Sequence, residues 1–279
     1  MWPFLAATAH IRLAAVLAGL VAGAWSTEVP RTGGPRPDTI RAFNQYIHLT
    51  ESVLDARLEG DEASLWPQTS LVRGRLRHGE VICAPRNKTG DVKVPYGLIH
   101  DWIGAIFIPG ATVGGVLKVV QDYDNHKATY SQEVMDSRIL EHNGNDYRIY
   151  LRLLKRKVIT VVLDTEHEVH YRSLGRNRWC SRSSSIRIAE VENPRRRGER
   201  WAPPGKDHGF LWRLNSYWMF VEEDGGVYVE CEAISLSRGV PASLAWLIGP
   251  IVRSLPVEAL AGTLRATRDG TIALAQPGS

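Results

Sequence analysis

Between residues 146 and 237, apolar and polar side chains alternate with a period near two, the mark of half-buried strands. Four long segments show it, at about 146–156, 158–172, 177–192 and 209–222. A tight Glu223-Asp224-Gly225-Gly226 turn then leads to a fifth at about 227–237. Together they predict a meander of antiparallel strands. Upstream, the apolar run Leu98–Ile108, stopped by Pro109-Gly110, predicts a first main strand, and Val134–Leu140 opens the next. Elsewhere the spacing is helical. Ile40, Phe43, Ile47, Leu54 and Leu58 predict a helix over about 38–58, behind Pro37 and capped by Asp38 or Thr39. Val113, Val116, Leu117 and Val120 stripe a short helix within Thr112–Tyr123. Leu244, Leu247, Ile248, Ile251, Val252 and Leu255 form a C-terminal stripe, continued by Leu260 and Leu264. Pro250 and Pro256 interrupt it, which predicts a helix over about 241–254, kinked near Gly249-Pro250, and a second from Pro256. Residues 65–95 are less regular, and Leu71–Leu76 and Glu80–Cys83 have short strand character.

Strand phase assigns an inner face. In the 158–172 strand Ile159, Val161, Leu163, Thr165, His167, Val169 and Tyr171 face in. Tyr147, Ile149, Leu151 and Leu153 do so in the strand before it. Leu214, Ser216, Trp218 and Phe220 follow in the next-to-last strand, and Val227, Val229, Cys231 and Ala233 in the last. The 177–192 strand mixes two phases, which a bulge near Ser183-Ser184-Ser185 would reconcile. The element order is one strand, a short helical connection, six strands and a C-terminal helix, an α+β architecture.

The run Thr112-Val113-Gly114-Gly115-Val116-Leu117-Lys118-Val119-Val120-Gln121-Asp122-Tyr123-Asp124, then Tyr130 and Ser137-Arg138-Ile139-Leu140, resembles the start of a START-like domain. Tyr217-Trp218-Met219-Phe220 and Gly226-Val227-Tyr228-Val229-Glu230-Cys231-Glu232, leading to Pro241, are similar to the same helix-grip superfamily, which also holds polyketide cyclases (SRPBCC). The resemblance covers about residues 92–268. It implies a curved sheet of about seven strands around the long C-terminal helix, with an apolar cavity between them. It also implies a lipid or other hydrophobic small molecule as ligand, and catalysis in a minority of members. Cavity lining would come from Ile159, Val161, Leu163, Thr165, His167, Leu214, Ser216, Trp218, Val227, Val229, Leu247 and Ile251. The same residues would equally suit a filled core.

Composition adds an address. His10 and Arg12 precede the apolar run Leu13–Ala24, of signal-peptide length, with small residues at Ala22-Gly23-Ala24 and Ala24-Trp25-Ser26. The expected organisation is a signal peptide over 1–26, a flexible leader over 27–37, an N-terminal helix and extension over 38–91, the START-like domain over 92–270 and a tail over 271–279. Export to a bacterial periplasm or beyond follows, with membrane anchoring if the signal stays uncleaved. A net charge of +4 is only mildly basic. The one tight basic cluster, Arg195-Arg196-Arg197, lies in a Pro/Gly-rich loop, so a solvated loop is expected and no nucleic-acid partner. Trp246 makes transient membrane contact an open reading.

Candidate chemistry is sparse. Glu166-His167-Glu168-Val169-His170 does not make a metal site, because residues three apart on a strand face opposite ways. No cofactor is implied. His100 beside Asp101 suggests catalysis only if a nucleophile is placed there too, and no nucleophile motif is visible. The sequence thus supports an exported binding or transport protein for a hydrophobic or amphiphilic small molecule. Two alternatives stand beside it: a cyclase or hydrolase using His167 or His100 as acid/base, and a non-catalytic structural or partner-binding module with a filled core.

Overall fold

The computed structural model describes residues 34–59, 69–156, 160–203, 205–239 and 245–276, with side chains in the last helix from residue 254 onward. The expected signal peptide, most of the leader and Ile159 lie outside the described residues, as do the side chains of Trp246, Leu247 and Ile251.

Among the described residues ten strands form one antiparallel sheet. They are β1 (Ile82–Pro85), β2 (Asp91–Val94), β3 (Gly97–Pro109), β4 (Val134–Asn143), β5 (Asp146–Arg156), β6 (Thr160–Ser173), β7 (Arg178–Glu192), β8 (Arg200–Trp201), β9 (Arg213–Glu223) and β10 (Gly226–Arg238). The order is β1-β3-β10-β9-β7-β6-β5-β4, with β2 also on β3 and β8 on β7. The seven long strands are those the alternation predicts. Pairing of β3 with β10 over thirteen residues joins the ends of the meander, from Gly226 opposite Pro109 to Arg238 opposite Gly97. Among the described residues five α-helices accompany the sheet: α1 (Pro37–Leu58), α2 (Ser70–Arg77), α3 (Val113–Val120), α4 (His126–Thr129) and α5 (Ala245–Ala275).

The concave face takes α5 and α3. Leu260 and Leu264 pack with Val113, Val116, Leu117 and Val120 over Ile106, Ile108, Val227, Val229 and Phe220. Gly104 allows this approach, since a Cβ there would stand 2.7 Å from Leu264 Cδ1 and 2.9 Å from Cys83 Sγ. The convex face is covered as well. Phe43 and Leu54 of α1 pack on Ile99, Ile103, Met219, Ile234 and Leu236, and Leu76 of α2 on Ala105, Phe107 and Tyr228. Burial on both faces explains why β3 and β10 are buried along nearly their whole length, where a one-sided strand would alternate.

Four expectations change, and the expected β7 bulge is placed to the residue. Leu71–Leu76 is helical, because Val72 and Leu76 share a helix face and Thr69 Oγ1 accepts from Val72 N at 3.3 Å. Arg36, not Asp38 or Thr39, stands at the α1 cap, with Pro37 at the first helical position; the Thr39 hydroxyl instead donates to Pro95 O at 2.7 Å. The β7 bulge falls at Ile186, the residue left over between the pairs Glu166–Arg187 and His167–Ser185. It exposes Ile186 and returns Ile188 to the concave phase. β9 begins at Arg213, since Gly209 adopts φ +72° and its carbonyl takes the amide of Arg238 at 2.7 Å. Finally, α5 is one helix through Pro250 and Pro256 rather than two. Each proline removes one amide donor, at about 3 kcal/mol, which a helix this long absorbs where its other turns are packed.

Candidate ligand-binding face

Strand register sorts the concave face into rows. Ile106, Val229, Phe220 and Trp179 form one, and Gly104, Cys231, Trp218 and Ser181 the next. Trp102, Ala233, Ser216 and Ser183 form the third, and His100, Ser235 and Leu214 the fourth. The first two rows lie in or beside the packed core beneath α3, Leu260 and Leu264. The third is different: Trp102, Ala233, Ser216 and Ser183 are all only half-buried, as are Leu214, Ser235 and Trp218 beside them. The face is therefore filled at one end and incompletely covered at the other. Trp102 Nε1 is buried there without a hydrogen-bond partner, while the Trp102 ring packs against Gly90.

Of the residues expected to line a cavity, Val161, Leu163, Thr165, His167, Leu214, Ser216, Trp218, Val227 and Val229 all stand on the concave face. They do not form one group. Val227 and Val229 belong to the packed core, and Val161 and Leu163 to a separate cluster with Val134 and Leu153. Leu214, Ser216 and Trp218 lie on the incompletely covered strip.

His167 is buried, and its Nε2 lies 3.1 Å from Thr165 Oγ1. The Thr165 hydroxyl donates to Leu151 O at 3.1 Å, so it accepts from His167 Nε2–H. Burial pushes the imidazole pKa down to about 4, which keeps it neutral near pH 7. His170 lies on the opposite face of the same strand, exposed and paired with Asp146. Among the described residues no cluster of three or more metal-ligating side chains occurs.

His100 and Asp101 do not act together, because they point to opposite faces. The carboxylate at His100 is Asp91 of the adjacent β2, with Oδ1 2.8 Å from Nδ1. On the other side of the ring, Nε2 lies 3.0 Å from Ser237 Oγ of β10. Ser237 is 137 residues away in sequence, and Asp91 nine, across the β2–β3 hairpin. The pairing of β2 with β3 and of β10 with β3 brings them in, and no local signal marks it.

β8 and the loop after it divide between the two faces. Trp201 Nε1 donates to Asp164 Oδ2 at 2.9 Å on the convex side. Phe210 and Leu211 pack against the Val161–Leu163 cluster on the concave side, and His208 pairs there with Glu190. The second half of the loop thus closes one margin of the concave face.

A cavity of about 230 Å³ lies on the convex face, between α1 and the sheet. Tyr46, Thr50, Leu54, Arg57, Arg86, Asp101 and Glu232 line it. The Tyr46 hydroxyl donates to Asp101 Oδ2 at 2.6 Å, and Arg86 Nε donates to Glu232 Oε1 at 3.2 Å. Burial, then the charge of Asp101, pushes the Glu232 pKa up to about 7. Burial likewise raises Asp101, so the two carboxyls hold a proton between them well above the usual carboxylate range. The three cysteines are free. Cys83 and Cys231 flank Gly104 from the two neighbouring strands, which keeps them two strand spacings apart, about 9–10 Å and beyond disulfide reach.

No family model and no curated protein sequence matches the chain. Several solved structures are similar in fold. A Thermus thermophilus protein is 16% identical with a TM-score of 0.45, over 62% of this chain and 98% of its own. A STAR-related lipid transfer protein fragment from Xanthomonas axonopodis is 18% identical with a TM-score of 0.40, over 66% and 98%. The Zhui aromatase/cyclase from Streptomyces sp. R1128 is 9% identical with a TM-score of 0.42, over 64% and 96%. The strand order, and the long helix laid across the concave face, give this chain a helix-grip α+β fold.

Proposed function

We propose that this is an exported binding or transport protein for a hydrophobic or amphiphilic small molecule, carried on the concave face beside α5. The observation behind this reading is the half-buried strip Trp102–Ala233–Ser216–Ser183 with Leu214 and Trp218, next to a core packed tightly elsewhere. An apolar chain laid there would gain about 25 cal/mol for each Å² it removes from water. Ser183, Ser216 and Ser235 offer hydroxyls to orient a polar head. Export rests on the apolar run Leu13–Ala24 and its flanks. Among the described residues no helix is long and apolar enough to cross a membrane.

Mass spectrometry of organic extracts from protein purified from its own host tests the reading, with a co-purifying amphiphile expected. Ala233→Trp fills the strip. It is expected to weaken binding of an alkyl-chain fluorescent probe about tenfold, or about 1.4 kcal/mol. Empty extracts, together with probe binding unchanged by Ala233→Trp, would leave the filled-core reading in its place.

A further inference from the structure

Asp91, His100 and Ser237 have the connectivity of a nucleophilic hydrolase: carboxylate on Nδ1 and serine hydroxyl on Nε2 at 3.0 Å, with the Arg238 carbonyl a second, longer acceptor for that hydroxyl at 3.4 Å. We propose that the strip carries a serine esterase centre for esters with an apolar chain, with Ser237 as nucleophile, His100 as general base and Asp91 as the positioning residue. The inference rests on the reading that the strip binds an apolar chain.

Three features carry it. The side chains come from three different strands, β2, β3 and β10, yet meet at 2.8 and 3.0 Å. His100 and Ser237 are 4% and 6% exposed, so water is largely excluded from the proton path. The centre also borders the strip: Ser235, cross-strand neighbour of His100, precedes Ser237 by one step on the same face. Packing alone does not call for this chain of polar groups, since apolar residues would fill the space without desolvation. A fixed imidazole tautomer does call for it.

The step balances without a cofactor. As Ser237 Oγ bonds to the ester carbonyl carbon, its proton passes to His100 Nε2. The ester C–O bond then breaks, and that proton leaves on the alcohol oxygen. Water attacks the acyl-serine with His100 again taking the proton, releasing the carboxylic acid and restoring Ser237.

The test uses the full chain, p-nitrophenyl esters of increasing acyl length, an alkyl fluorophosphonate, and a fluorescent fatty acid to report binding alone. Turnover that rises with chain length is expected, with the fluorophosphonate mapped to Ser237. Ser237→Ala should lose turnover by about 100-fold or more while still binding the fluorescent fatty acid. Asp91→Asn should slow labelling of Ser237, and Asp91→Glu should restore part of the rate, as a purely structural aspartate would not require. Wild-type protein that binds the fatty acid but neither turns over an ester nor takes up the fluorophosphonate overturns the esterase and leaves the binding face standing. Labelling at another residue also overturns it. Protein that binds neither probe overturns both readings.

Discussion

Replacing Glu232 by Gln isolates the electrostatic cost held beneath α1. Glu232 is 3% exposed and shares its surroundings with Asp101, Arg86 and the Tyr46 hydroxyl. Its folded pKa is about 7, raised by burial and by Asp101, against 4.5 as its ordinary value. Between those pH values the folded protein keeps a proton that the unfolded chain has released. The stability gained this way is fully present below about pH 4.5 and is lost as pH rises to about 7 and beyond. The span of the shift corresponds to a ceiling on the order of 3 kcal/mol. Gln keeps the shape, still accepts from Arg86 and can donate to Asp101, but carries no charge at any pH. Urea unfolding of both proteins should give nearly equal stabilities at pH 4.5. By pH 8 the Gln variant should be the more stable by about 1–3 kcal/mol. His208, raised by its hydrogen bond to Glu190, titrates in both proteins, so it cancels in the difference. A difference that stays flat from pH 4.5 to 8 would falsify the shared proton.

Two further predictions concern the frame around the candidate site. Gly104→Ala places a Cβ against Leu264 and Cys83, so thermal unfolding should show a loss of about 1–3 kcal/mol as α5 is forced off the sheet. Asp164 accepts from Arg152 at 2.7 and 3.0 Å, from Tyr150 at 2.7 Å and from Trp201 at 2.9 Å. Burial alone would raise its pKa, but these donors hold it below the usual carboxylate value. Its contribution to stability is therefore present above that ordinary value and falls away as pH drops through the depressed one. Asp164→Asn should lose about 1.5–3 kcal/mol at pH 7 in chemical denaturation, and the loss should shrink in acid.

Strand identity and strand phase were legible because one energetic requirement repeats along each strand. An apolar side chain on the wrong face would meet water, so Val161, Leu163, Ile149, Leu214 and Trp218 declare their face by spacing alone. Short segments under tertiary control did not declare themselves. Six residues at Leu71–Leu76 satisfy either period, and packing of Leu76 on Phe107 and Tyr228 decides for the helix. The prolines at 250 and 256 predict a break because local propensity takes no account of the sheet on which the rest of α5 packs.

The candidate site was the least legible part, and the reason lies in how a sheet builds a site. Phase says which side of the sheet a residue faces but not which row it joins. Ser237 and His100 lie 137 positions apart and meet because Ser235 pairs with His100 in the β3–β10 register. Sliding that register by two residues would keep every apolar side chain on its own face, yet would carry Ser237 away from His100. The hydrophobic pattern therefore constrains the fold strongly and this polar contact hardly at all. The same geometry separates His100 from Asp101, the carboxylate beside it in sequence, and gives it Asp91 from an edge strand of four residues. On β3 sequence neighbours serve different layers. His100 and Trp102 meet the concave strip, while Asp101 and Ile103 meet α1. A change at Asp101 should thus act on the clasp of α1, and a change at Asp91 on the histidine, although His100 lies next to Asp101 in the chain.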